Sequence, residues 1–149
     1  MKYTLMPYKG LGKLALYESF SKVTSILDEN GVDYSVVIQD NSECTVKYNW
    51  RILSINRSIR LFFSEGNYKL FKICVSEGPE IALPNGIYAG MKLENAVKLD
   101  SELRYDDWDE IYVSSKGYYI EDSLETGKVV SINIHVKEID DDDFDHCGW

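Results

Sequence analysis

The chain has 149 residues, 44% of them hydrophobic and 28% charged, with eleven Tyr, five Phe and three Trp. That is the length of one domain or two very small ones, with enough apolar mass for a core, and the composition excludes fibrous and globally disordered classes. The net charge of −9 is uneven: residues 1–80 carry ten Lys/Arg and nine Asp/Glu, residues 81–149 six and sixteen. An acidic half repels nucleic acid, whose binding needs cations set against phosphates, and attracts basic proteins. The plainer reading is that the charge only keeps the protein soluble. The first ten residues hold no apolar stretch of signal-peptide length, and no run in the chain approaches a membrane span. Cys44, Cys74 and Cys147 are odd in number and widely spaced, which is no disulfide framework. The expectation is a cytoplasmic protein that engages neither membrane nor nucleic acid.

In chain order, a glycine-containing lead over 10–16 precedes Leu16–Leu27, where Phe20, Val23, Ile26 and Leu27 recur at helical spacing. Ser19 reads as its N-cap and Gly31 as its stop. Strands follow at Tyr34–Ile38 and at Thr45–Ile52, where Val46, Tyr48, Trp50 and Ile52 alternate with polar residues. Ile59–Phe63 and Tyr68–Val75 flank a hairpin connection at Ser64–Asn67. A second lead over 84–89 precedes a helix at Ala89–Leu99, with Leu93, Ala96, Val97 and Leu99 as its apolar face. Strands Glu110–Val113 and Gly117–Ile120 come next. The last is Val129–Val136, entered through the turn Leu124–Lys128 and alternating at Val130, Ile132, Ile134 and Val136.

The pattern is helix then meander, twice, with Tyr34 and Trp108 at matching places. It predicts an α+β fold, antiparallel sheet packed by one or two main helices, in one domain over 1–137. That domain reads either as tandem units 10–75 and 82–137 or as a single unit with two similar helices. Residues 138–149 read as a mobile acidic tail, although Phe144 and Trp149 are apolar anchors that a solvating tail does not need.

No phosphate-binding glycine loop, nucleophile elbow or Cys-x-x-Cys is present, and Gly10-Leu11-Gly12-Lys13 is too short for a phosphate loop. His135 falls on the polar face of the last strand. His146 and Cys147 adjoin aspartates in the tail, without the fixed geometry that a metal or a nucleophile pair requires. No catalytic residue, metal or cofactor is therefore expected. Carboxylate catalysis at 106–110 would need a second carboxylate motif, and none is seen. Trp108 within Asp106, Asp107, Asp109 and Glu110 reads as an interface anchor with an electrostatic rim. The alternative is a core Trp with acids facing water. Tyr112 and Tyr119 add contact area suited to an interface, and Asp140, Asp141, Asp142 and Asp143 would steer a basic partner.

The segment Tyr88-Ala89-Gly90-Met91-Lys92-Leu93-Glu94-Asn95-Ala96-Val97, with Gly117-Tyr118-Tyr119-Ile120 and Gly127–Ile134, resembles the helix-and-meander unit of the β-lactamase-inhibitor-protein-like fold. In that fold a Gly-Met-Ser/Thr-Leu-Glu-Glu-Val phrase opens the helix. The first half departs from the phrase, with Tyr17 at the glycine position and Glu18 at the methionine position. Bacterial toxin immunity proteins, including those of contact-dependent growth inhibition, are similar in style. The resemblance implies a non-enzymatic immunity protein that binds and occludes a cognate toxin domain, plausibly a basic nuclease. A structural or adaptor subunit binding a protein through a sheet edge is the other class the sequence admits.

Overall fold

The computed structural model describes residues 3–149, and its class is α+β, as the patterning predicts. Eight strands make one antiparallel sheet in the order β4-β5-β6-β7-β12-β11-β10-β9. The first four are β4 (Ser35–Gln39), β5 (Trp50–Ile55), β6 (Ile59–Ser64) and β7 (Leu70–Val75); the others are β9 (Arg104–Asp106), β10 (Ile111–Ser114), β11 (Tyr118–Asp122) and β12 (Val129–His135). The two meanders join through their last strands, with Val75 opposite Ile132 and Ile73 opposite Ile134. A smaller sheet, β3-β2-β1-β8, is built from β1 (Tyr3–Met6), β2 (Gly10–Leu11), β3 (Leu14–Ala15) and β8 (Ile81–Ala82).

Alternation along the strands gives the large sheet two unlike faces. Leu53, Leu61, Ile73, Ile134, Ile132 and Ile120 lie on one face and belong to a single buried cluster shared by both halves. Helix α1 (Phe20–Glu29) packs there through Val23, Leu27 and Phe20, whose ring meets Phe63 edge-on at 5.1 Å. Ser19 caps it by accepting from the Lys22 N–H at 3.2 Å, and Gly31 ends it at φ +65°. Helix α2 (Leu93–Leu99) is shorter than the expected 89–99 and buries only Ala96, leaving Val97 and Leu99 exposed.

The late start of α2 has a backbone cause that recurs in the first half. Gly90 N–H donates to Val129 O, Val129 N–H to Met91 O, and Leu93 N–H to Gly127 O. In the first half Tyr17 N–H donates to Leu70 O, Leu70 N–H to Glu18 O, and Phe20 N–H to Tyr68 O. The residue before each helix also bridges the residue before each last strand, Ser19 with Lys69 and Lys92 with Lys128. Gly90 (φ +104°) and Gly127 (φ +67°) take the left-handed conformation, and so do their counterparts Tyr17 (φ +72°) and Tyr68 (φ +56°). A tyrosine held there costs about 1–2 kcal/mol relative to glycine. At Tyr17 the side chain is in use, because its hydroxyl donates to Glu138 at 2.6 Å and its ring meets Trp149 at 6.3 Å.

Several expectations shift for local reasons. The Thr45–Ile52 strand begins only at Trp50, because the buried Asn41 ties up the preceding loop: its N–H donates to Asn49 Oδ1 and its Nδ2 to Tyr48 O, both at 2.9 Å. Tyr34 precedes β4 whereas Trp108 follows β9, so their places do not match. The expected mobile tail instead folds back over the other sheet face as two short 3-10 turns, η1 (Lys137–Asp140) and η2 (Phe144–His146). Phe144 stacks on Trp149 at 5.1 Å and meets Phe71 at 5.3 Å, Trp149 Nε1 donates to Phe144 O, and Lys69 Nζ donates to Trp149 O. Glycine at position 66 leaves room for the strap: a Cβ there would stand 2.6 Å from Cys147 Sγ. The two aromatic anchors outweigh the polar run between them, since burying one such ring is worth about 1.5–3 kcal/mol.

Tyr17→Gly should keep the left-handed backbone and the fold while releasing the strap. Amide hydrogen exchange over 137–149 should then rise at least tenfold, with exchange in β7 and β12 little changed.

Candidate partner-binding site

The β9–β10 connection is a four-residue turn over 107–110, fixed from within. Asp106 Oδ1 accepts from the Trp108 N–H at 3.0 Å and the Asp109 N–H at 3.3 Å, and Glu110 takes the left-handed φ of +57°. Trp108 stands at the tip, 91% exposed, with Asp107, Asp109 and Glu110 exposed around it. Of the two sequence readings of Trp108, the core residue is therefore set aside. A turn this short holds the indole away from every packed layer.

The two tyrosines part company. Tyr112 lies on the helix-bearing face, half-buried, its ring 5.0 Å from the exposed Tyr105. Tyr119 lies on the opposite face, beside the strap. Register puts Arg104, Asp106, Val113, Tyr119, Glu121, Ser131, Asn133, His135, Cys74 and Lys72 on that same face. Tyr112 and Tyr119 thus cannot serve one patch, and only Tyr119 shares a surface with the groove described next.

Between the β9–β10 hairpin and η1 runs a groove of about 630 Å³. Asp106 and Asp109 wall one side and Ile139 and Asp140 the other, over a floor that includes Val113, Tyr119 and His135. Asp140 thereby joins the hairpin acids. Asp141 and Asp143 border a different depression beside Trp149, and Asp142 is simply exposed. None of Asp106, Asp109, Glu121 and Asp140 forms an ion pair among the described residues. Arg104, which also borders the groove, donates from Nη1 to Ser101 O and Leu103 O. No three His, Cys, Asp or Glu side chains among the described residues group closely enough to hold a metal ion.

The polar side of β12 is not the solvated surface its alternation suggests. Ser131, Asn133 and His135 are all buried, since β12 is a central strand covered by Tyr8, Tyr119 and the strap. Ser131 Oγ donates to Glu121 at 2.6 Å, and Asn133 Nδ2 donates to Ser131 Oγ, leaving Asn133 Oδ1 without a partner. His135 Nδ1 lies 2.9 Å from Val136 O, so that nitrogen carries the proton in the neutral ring and Nε2 is left as an acceptor. Lys72 Nζ sits 4.1 Å from the Phe62 ring and donates to Tyr119 OH at 3.0 Å. Burial lowers the Lys72 ammonium and raises the Tyr119 hydroxyl from their ordinary values. No motif marks this layer in the sequence; its only trace is the polar set in β12, which looks the same in a solvated strand.

A second buried network holds the β10–β11 hairpin to the end of α2. Asp100, just past the helix, accepts from Ser114 Oγ at 2.8 Å, from Tyr118 OH, from the Glu102 N–H at 2.9 Å and from Lys116 Nζ at 3.3 Å. Burial alone would raise its carboxyl, and these donors outweigh it, bringing the pKa down to about 2. Comparison with protein-family models, characterised proteins and solved structures returns no significant match to this chain.

The depressed Asp100 pKa gives a signed expectation. Its stabilisation is complete above about pH 4 and is lost as pH falls toward 2. Asp100→Ala should cost about 2 kcal/mol or more at neutral pH, because it leaves the buried Ser114 and Tyr118 hydroxyls without an acceptor for their protons. It should also flatten the acid limb of stability between pH 4 and 2 in urea unfolding.

Proposed function

We propose that this chain is an inhibitor of the immunity type, acting by binding and occluding a basic toxin domain and not by catalysis. The observation that carries the reading is Trp108, 91% exposed on a turn fixed by Asp106 and ringed by unpaired carboxylates. An exposed indole on a preorganised turn has the character of an interface anchor: it adds large contact area while losing little side-chain freedom. The acids around it steer a basic partner and speed the encounter. The clamp repeated at Gly90–Val129 and Tyr17–Leu70 supports the helix-and-meander likeness on which the immunity class rests.

The test is coexpression with candidate basic toxin domains, beginning with any encoded beside this gene. Protection from toxicity and a one-to-one complex are expected. Trp108→Ala should weaken that complex at least tenfold, about 1.4 kcal/mol or more. Association should slow as salt rises. A complex indifferent to salt, to Trp108→Ala and to Lys substitution at Asp106, Asp107, Asp109 and Glu110 would overturn the reading.

One feature favours the adaptor class. Edge strand β4 is uncharged over Ser35–Gln39, with Val36, Val37 and Ile38 all exposed, Val37 at 60%. Such an edge invites strand addition. On that reading self-association measured by sedimentation is abolished by Val37→Lys, and toxin coexpression gives no protection.

A further inference from the structure

The groove beside the Trp108 turn has a lining that specifies more than negative charge. Asp106 and Asp109 face Asp140 across it, and Glu121 adds a fourth carboxylate from the floor strand. These groups accept hydrogen bonds and cannot donate them when ionised. His135 borders the groove as well, its Nδ1 turned to Val136 O. Arg104, the one cation on the rim, turns its Nη1 to the backbone carbonyls of Ser101 and Leu103. The carboxylates are spread along the walls and do not converge, so they cannot chelate a metal ion. Ile111, Val113 and Ile139 supply apolar surface between them, and Tyr119 supplies a ring.

A ligand matching the carboxylates and the apolar surface between them carries many donors, a flat cationic head and an apolar stem. A guanidinium fits each requirement: five N–H donors in a planar fork, stacking on aromatic rings, and a three-carbon stem. The volume of about 630 Å³ exceeds what one side chain fills and lies in the range of sites for small organic molecules. We infer that the groove is an arginine-reading subsite, taking one or two guanidinium side chains of a basic protein segment. The inference deepens the proposed function and rests on it for the identity of the partner, but the site can be tested without that partner.

The experiment uses the whole chain, labelled with nitrogen-15, and a hexa-arginine peptide as probe, with hexalysine and spermine for comparison at equal charge concentration. Hexa-arginine should shift the amides of Ile111, Val113, Tyr119 and Glu121. It should bind about tenfold tighter than hexalysine, because only the fork pairs bidentately with carboxylates. The double change Glu121→Gln and Asp140→Asn should weaken it by about tenfold, and Glu94→Gln on α2 should not. The wild-type comparison among the three cations stands even if the double variant folds poorly. Equal binding of all three, or shifts confined to Asp141–Asp143, would overturn the subsite and leave charge alone. If the subsite fails while Trp108→Ala still disrupts a toxin complex, the proposed function survives without it. If the peptide binds as described but no toxin domain is neutralised, the groove stands and the immunity reading falls.

Discussion

Where β7 meets β12, two meanders become one sheet. Ile73 and Val75 lie opposite Ile134 and Ile132 at that seam, and all four are fully buried. Neither half could close its apolar face without the other, since the cluster under the sheet draws on both. The helix leads are tied to the same two strands: Tyr17 and Glu18 bond to Leu70, and Gly90 and Met91 bond to Val129. The seam therefore fixes the strand order and also the heights at which α1 and α2 enter. The opposite face inherits its layout from the same register. Lys72 beside His135 and Cys74 beside Asn133 are consequences of how Ile73 and Ile134 pack beneath.

Much of this was legible from residue pattern because local chemistry and tertiary packing agree. Ser19 and Gly31 bracket α1, and the apolar sets of β6, β7, β11 and β12 announce strands that the core then uses. The repeat was harder to read for a physical reason. Its diagnostic positions are defined by positive φ, and the second half marks them with Gly90 and Gly127 while the first fills them with Tyr17 and Tyr68. A tyrosine in the left-handed region carries no sequence signal, so the backbone likeness survives where residue likeness is lost.

The site was only half legible. Tryptophan among acids reads the same whether it is buried or displayed, and only the shortness of the β9–β10 turn decides between them. Asp140 could not be joined to Asp106 and Asp109 from sequence, because the contact depends on the strap folding back, and the strap's acids argued for mobility. Phe144 and Trp149 were the visible clue, and their edge-on packing against Phe71 supplies the apolar burial that the acids between them lack. The buried polar line Glu121–Ser131–Asn133 was missed, since alternation alone does not say whether the polar side of a strand meets water.

The two margins of the large sheet are unlike, and the difference sets a limit on growth. β9 is three residues long and carries Arg104 and Asp106, so charge and brevity keep another strand from extending the sheet there. β4 is longer, uncharged and apolar. A sheet with one receptive margin and one closed margin can be extended once and then has nowhere left to add. Any association through β4 ends at a finite pair, and the chain keeps an open edge without the hazard of an endless ribbon.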